Sequence, residues 1–270
     1  MRIIFLGEQF SYHHLAAMAF WGKENDFISA PNFDTIVDKV VSGDVEYGII
    51  AVENSLAGDV PGNFELLCKN PIEICGEITL KIELHLAAQP GTKLNQIQTV
   101  YSHKMAIRET SRFFSQYPGI NFVETPSTSA AMKFVAEQKS PFLAAIGSIT
   151  ALHFYSLENL ASEIANSRDN RTRFLVLHHK SPSGLTTKFG GKASLFLQSD
   201  KEENLNLEIN ELFSGCEISL IRTLKEGNVY IEILFTNNFQ LDNTVREIRE
   251  SGIGIRVLGV YEEGMIREGF

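Results

Sequence analysis

The chain has 270 residues, enough for two domains and a substantial core, and its 44% hydrophobic content is that of an ordinary globular protein. With 33 acidic against 24 basic residues the net charge is −9, which argues against a nucleic-acid partner and means that an anionic ligand must be drawn in by local positive charge. No apolar run reaches membrane-spanning length, the N-terminus enters a strand without a signal-peptide pattern, and Cys68, Cys75 and Cys216 match no metal-ligand spacing. A cytoplasmic protein with reduced thiols, no metal and no membrane contact is expected.

Ile3-Ile4-Phe5-Leu6 predicts the first strand, followed by Gly7-Glu8-Gln9 and then Ser11-Tyr12-His13-His14. Leu15 to Trp21 has helical spacing, as does Thr35 to Val41 before Gly43. The run Gly48-Ile49-Ile50-Ala51-Val52 predicts a strand ending in Glu53-Asn54-Ser55. Thr99-Val100-Tyr101 predicts another, ending in Ser102-His103, and Met105 to Phe114 and Ser129 to Glu137 read as helices. Phe142 to Ile146 is a further strand, followed by Gly147-Ser148. Strands alternating with helices indicate an α/β domain with a largely parallel sheet, whose ligands bind beyond the carboxyl ends of the strands.

One polar cluster lies at the other end of its strand. Asn170-Arg171-Thr172-Arg173 precedes the apolar run Phe174-Leu175-Val176-Leu177, and offers a hydroxyl, an amide and two guanidinium groups. It meets the other clusters only if its strand runs antiparallel, which is the expectation. After it, His178-His179-Lys180-Ser181-Pro182-Ser183-Gly184 reads as a linker. Then come a strand at Lys192–Gln198, a helix at Asn204–Phe213, strands at Ile218–Thr223 and Val229–Phe235, a helix at Asp242–Glu250 and a strand at Ile253–Tyr261. That order, βαββαβ, is a small ferredoxin-like unit.

Together these features resemble the prephenate dehydratase family over nearly the whole chain, with the C-terminal unit resembling an ACT regulatory domain. The residues that carry the resemblance are Glu53-Asn54-Ser55 after a strand and Asn170-x-Thr172-Arg173-Phe174-Leu175-Val176-Leu177. Gly76-Glu77, Tyr101-Ser102-His103 and Ser11-Tyr12-His13-His14-Leu15-Ala16-Ala17 support them. The resemblance implies a two-lobed catalytic domain, similar in fold to periplasmic binding proteins, over residues 1–178. Lobe one would be about 1–80 and 160–178, and lobe two about 81–159. A linker at 179–190 and an ACT-like regulatory domain at 191–270 would follow.

The implied reaction removes the ring carboxylate of prephenate as carbon dioxide and its ring hydroxyl as water, giving phenylpyruvate for phenylalanine biosynthesis. Aromatisation drives it, so no cofactor is expected. Thr172 would donate a proton or a hydrogen bond to the departing hydroxyl, and Glu53 and Asn54 would orient it. Ser11, Ser55, Asn170, Arg173 and Phe174 are the substrate-binding candidates. Arg173 fits a substrate carboxylate or a structural ion pair equally well, and Ser11 stands where a helix begins and could equally be its cap. His13 and His14 read as a cap and an exposed side chain, and His103 as structural.

This chain also departs from the family pattern. Where the family shows Gly-Pro-x-Gly-Thr, it has Gly7-Glu8-Gln9-Phe10-Ser11, and after Ser102-His103 it has Lys104-Met105 in place of Pro-Gln. Arogenate stays open as a substrate, as does a two-lobed sensor without turnover. The ACT-like unit implies a homodimer or homotetramer. The usual phenylalanine-binding motifs are missing: Asp200 to Leu205 and Arg222 to Gly227 stand in their places, so phenylalanine is expected to bind weakly or not at all.

Overall fold

Alternating strands and helices build the first lobe: β1 (Arg2–Leu6), α1 (Tyr12–Trp21), β2 (Asp26–Ala30), α2 (Phe33–Val41), β3 (Tyr47–Asn54), the short β4 (Gly58–Asp59), α3 (Asn63–Lys69) and β5 (Ile72–Lys81). The computed structural model describes residues 1–179, 191–198 and 205–267. Of the linker expected at 179–190, His179 ends the strand Arg171–His179 and the rest lies outside the described residues, as does the stretch 199–204. Helix α2 shows why the segment folds as it does. The Asn32 side chain accepts from the Thr35 N–H at its start, and Ile36, Val37 and Val40 bury one face. That face packs on β3 at Gly48, where a Cβ would sit 2.8 Å from Ile36 and 2.9 Å from Val40.

The second lobe holds β6 (His85–Ala88), β7 (Thr99–Ser102), α4 (Lys104–Glu109), α5 (Ser111–Phe114), β8 (Asn121–Glu124), α6 (Thr128–Gln138), β9 (Leu143–Gly147), α7 (Ile149–Phe154) and β10 (Glu158–Ala161). The helix expected over 105–114 is broken at Thr110. Its hydroxyl donates back to the Ala106 and Ile107 carbonyls, competing with the helical ladder. The chain then returns to lobe one as β11 (Arg171–His179), inserted between β3 and β5 and antiparallel to both.

Among the described residues each lobe's sheet is largely parallel, as expected, with one reversed strand, β11 in lobe one and β6 in lobe two, the two-residue β4 aside. In lobe one the order is β16 (Met265–Arg267)-β5-β11-β3-β1-β2, with β1 parallel to β2 and β3. In lobe two it is β10-β6-β9-β7-β8, with β7 parallel to β8 and β9. The antiparallel members arise where the chain passes between lobes, because a strand that returns without a crossover helix runs the opposite way.

The C-terminal unit contains β12 (Gly191–Gln198), α8 (Leu205–Leu212), β13 (Glu217–Thr223), β14 (Val229–Phe235), α9 (Asn238–Glu250) and β15 (Gly254–Tyr261). Its antiparallel sheet, in the order β13-β14-β12-β15, is the arrangement of a ferredoxin-like βαββαβ unit. It packs against lobe one without a gap. Phe196, Tyr230, Leu258 and Tyr261 join Ile50, Val52, Ile74 and Leu175 in one apolar cluster, and a side chain at Gly259 would overlap the Ile74 backbone. The last described strand, β16 (Met265–Arg267), leaves this unit and pairs with β5, so the chain's end extends the lobe-one sheet.

Candidate active site

The mouth of the cleft is set by one irregularity between β3 and β11. Thr172 faces Asn54 and Arg173 faces Glu53, but Phe174 faces Ala51, so Val52 is an extra residue on β3. Such a bulge re-aims the side chains around it. Along β11 the side chains alternate. Phe174 joins Phe5, Leu15 and Ala51 on the α1 side, whereas Leu175 joins the cluster under the C-terminal unit. Thr172 follows Phe174 and Arg173 follows Leu175.

Thr172 ends a connected set of polar side chains. The Asn54 amide is locked, because its Oδ1 accepts from the Leu56 and Ala57 N–H groups, both at 2.9 Å. Its Nδ2 therefore points the other way, donating to Asn170 Oδ1 at 2.8 Å and to Thr172 Oγ1 at 3.1 Å. Asn170 is fully buried, and its own Nδ2 donates to Glu109 Oε2 at 2.7 Å. The Thr172 oxygen is thus an acceptor for Asn54. Among the described residues no hydrogen bond is donated by its hydroxyl.

The other polar candidates have their side-chain atoms engaged elsewhere. Ser11 is buried as the cap of α1, accepting from the His14 N–H and donating to the Leu6 carbonyl. Ser55 donates to the Asp169 carbonyl at 2.8 Å and accepts from the Arg171 N–H at 2.9 Å, which clamps β3 to the start of β11. Phe174 is fully buried and meets the His13 ring edge-on, so it is core and not cleft surface. His13 accepts from the Ala51 N–H at 3.3 Å, and burial, with His103 nearby, lowers its pKa to about 3. His14 is not exposed as expected. It stacks on Phe5, accepts from the Phe10 N–H at 2.9 Å, and burial lowers its pKa to about 4. His103 caps α4 through its Nδ1.

Arg173 and Glu53 point away from Thr172, into an ion cluster beneath the C-terminal unit. Arg173 contacts Glu53 at 2.6 Å, Glu77 at 2.8 Å and Glu232 at 2.9 Å. Lys192 reaches Glu77 at 3.1 Å and Glu232 at 2.9 Å, while Arg222 joins Glu53 to Asp59. Burial opposes the charge on Arg173, but Glu232 and Glu53 outweigh it and keep the guanidinium protonated. Burial would likewise raise Glu77, yet Lys192 and Arg173 hold its carboxyl below the usual range. Of the two readings of Arg173, the structural ion pair is the one observed. Glu53 is turned to the same face by the bulge, out of reach of an orienting role at Thr172.

The sequence profile of prephenate dehydratase matches residues 3–182, which spans both lobes and the whole Thr172 junction. The chain belongs to the prephenate dehydratase family. The bifunctional chorismate mutase/prephenate dehydratase of Escherichia coli K12 is 31% identical over 272 residues, covering 96% of this chain and 70% of that one. A prephenate dehydratase from Arthrobacter aurescens, solved in complex with L-Phe, superposes with a TM-score of 0.87 at 22% identity, covering 97% of this chain and 90% of that one. A quorum-quenching acylase superposes with a TM-score of 0.84 at 21% identity, covering 97% and 98%. At those identities the two structures establish the shared two-lobed fold and nothing about chemistry.

Two features of this prephenate dehydratase family member were not foreseen from its sequence. Glu109, the carboxylate nearest the Asn170 amide, sits on the opposite lobe and belongs to none of the quoted motifs. Phe10, at the family's glycine position, adopts φ +61, the left-handed conformation that glycine takes without strain. Its ring lies 4.3 Å from that of Phe154 on α7, so the loop touches the other lobe. Lys133 to Glu8, at 3.7 Å, and the Ser129 hydroxyl to the Gln9 carbonyl add two more contacts across the same mouth.

Proposed function

We propose that the chain converts prephenate to phenylpyruvate, and that Thr172 is the group that assists departure of the ring hydroxyl. The reading rests on one observation: the Asn54 amide, fixed by its own turn, donates to Thr172 Oγ1 and leaves the threonine hydrogen for the substrate. The electron pair of the breaking carbon–carboxylate bond flows into the ring, carbon dioxide leaves, and the ring hydroxyl departs with its bonding pair as water, taking from solvent the one proton that the reaction consumes. A threonine is too weak an acid to ionise on its own. Its contribution is a hydrogen bond that strengthens as charge develops on the leaving oxygen.

The substrate's carboxylates need positive potential, and Arg173 and Arg222 are committed to acidic partners. The N-terminal ends of α1 and α6 offer it, the loop before α1 meeting the first turn of α6 through Gln9 and Ser129. Glu53 and Arg173 then act from beneath, holding the strand that carries Thr172. We assign the C-terminal unit to an ACT-like role in homodimer or homotetramer assembly, in a cytoplasmic enzyme. Arogenate remains a candidate substrate. Incubating the purified chain with prephenate and, in parallel, arogenate, and following phenylpyruvate and phenylalanine respectively, tests the reading. Binding of prephenate without product would replace it with a sensor.

A further inference from the structure

We propose that Glu109 is a positioning residue that acts from lobe two to aim the Thr172 hydroxyl, through the amides of Asn170 and Asn54. This rests on the reading of Thr172 as the donor to the leaving oxygen.

The argument is one of hydrogen-bond direction. Asn54 cannot flip, because two backbone N–H groups hold its oxygen. Its Nδ2 must therefore find acceptors, and Asn170 Oδ1 and Thr172 Oγ1 are the two in reach. With Asn170 Oδ1 committed to Asn54, the Asn170 Nδ2 is forced toward lobe two and needs an acceptor there. Glu109 Oε2 supplies it at 2.7 Å. An ionised carboxylate only accepts, so it fixes the Asn170 amide in the one orientation that suits Asn54. Without that acceptor, a fully buried amide would lose a partner and could turn, offering its nitrogen to the Asn54 nitrogen. Asn54 would then be free to shift from Thr172, and the threonine hydrogen would no longer have a single direction.

Glu109 is also tied to the lobe crossing. It ends α4 where Thr110 breaks the helix, and its carbonyl accepts from the Asn166 N–H at 2.5 Å. The Asn166 side chain bridges the Arg108 carbonyl, Ser111 and the Arg112 N–H on the same lobe. The relay therefore forms only when the two lobes are in register, so that the donor is aimed only when the cleft is assembled.

The groups that face the carboxylate are Asn170 just before β11, Tyr12 from α1 and Arg108 from its own helix. Burial raises the Glu109 pKa, and the Asn170 hydrogen bond and Arg108 only partly offset it. Protonation, which burial brings to a higher pH than in an exposed glutamate, weakens the acceptor that holds Asn170.

The test is the pH profile of kcat and KM for prephenate in the full chain carrying Glu109→Leu, Glu109→Gln, Thr172→Val and the Thr172→Val/Glu109→Leu pair. Glu109→Leu should lower kcat roughly 10- to 100-fold, the value of a hydrogen bond to a charged group, with KM changed far less. Glu109→Gln keeps an oxygen acceptor that does not titrate. It should hold kcat within about threefold at neutral pH and remove the acidic limb of the wild-type profile. The pair should be no slower than Thr172→Val alone, since both act on the same hydroxyl. Wild-type kcat in folded Glu109→Leu, an unchanged acidic limb in Glu109→Gln, or multiplying losses in the pair would each overturn the proposal. If Thr172→Val alone has wild-type kcat, it is the reading of Thr172 that fails, and the single Glu109 variants then report on a separate effect. Thermal unfolding of each variant identifies any that are misfolded, and Glu109→Gln, which preserves shape, decides the matter if Glu109→Leu does not fold.

Discussion

Thr172 and Arg173 are consecutive on β11 and serve opposite sides of one sheet: the first completes the polar set at the cleft, the second anchors the ion cluster under the C-terminal unit. A strand's alternation makes this division of labour automatic. It also separates the effects expected from altering each residue.

Replacing Thr172 with valine keeps the shape and removes the donor. The expected result is a loss of about 10²–10⁴-fold in turnover, the usual contribution of a positioned acid. It should appear in kcat, because the bond strengthens at the transition state. Steady-state kinetics with prephenate on a variant whose melting temperature is unchanged is the check; an unaltered kcat would take Thr172 out of the mechanism.

Arg173→Gln should act on stability and hardly on substrate affinity. It leaves Glu53, Glu77 and Glu232 facing only Lys192 and Arg222, and breaking a buried pair typically costs about 3–5 kcal/mol. In a chain of this size that is a drop in melting temperature of roughly 10 °C. A large rise in KM with unchanged thermal stability would instead place the guanidinium at a substrate carboxylate.

Phe10 offers a test of backbone strain. In Phe10→Ala the ring contact with Phe154 is lost and the left-handed backbone remains. In Phe10→Gly the contact is lost and the strain is relieved. The glycine variant should therefore be the more stable of the two by about 1 kcal/mol, the reverse of the usual order. Denaturant unfolding of both variants decides; an alanine variant at least as stable as the glycine one would mean that no strain resides there.

The buried histidines set an acid dependence. The folded-state values of His13 and His14, about 3 and about 4, lie below the unfolded value near 6.5. Between those limits the unfolded chain holds more protons, so stability falls as pH falls, starting near 6.5 and continuing to the folded values. For His14 the full effect is of the order of 3 kcal/mol. His14→Gln retains an acceptor for the Phe10 N–H and should flatten the melting-temperature profile between pH 6.5 and 4. A slope identical to wild type would count against the assignment.

Phenylalanine should bind poorly to the C-terminal unit. Arg222, in the segment that replaces the usual second motif, is committed to Glu53 and Asp59. The replacement for the first motif, Asp200 to Leu205, lies outside the described residues except for Leu205, which opens α8. Calorimetric titration should show no saturable micromolar binding, and a clear micromolar isotherm that depends on Arg222 would reverse this expectation.

The elements that were legible in the sequence are those with a strong apolar pattern between polar ends. The runs at Ile49–Val52 and Phe174–Leu177 are buried strands, and the polar cluster on the wrong side of Phe174 was enough to give β11 its antiparallel direction. Strands β5 and β6 were not foreseen: β6 is short, and β5 was missed although its alternation at Ile72, Ile74, Ile78 and Leu80 is itself a strand signal. The helix at 105–114 failed at Thr110, where a side-chain bond competes with the ladder. At the site, Thr172 and Asn54 were legible because the strand ends carry them. The assignment of Glu53 was not, since a bulge at Val52 has no residue signature and reverses which face the next side chain serves. Glu109 was hidden for a different reason: it meets Asn170 across 61 positions and between lobes, a relation that no local pattern encodes.

The short strand β16 has a consequence for solubility. It lies along β5, a ten-residue strand that would otherwise form the outer border of its sheet, with every second backbone group unsatisfied. The three residues of β16 thus act as a selvedge along Ile78–Leu80, covering that part of a border on which a second molecule could begin to pair. A chain cut back before Met265 would keep its catalytic groups and its buried charges, yet carry a ready template for self-association. Its failure would be seen as concentration-dependent light scattering before any loss of turnover.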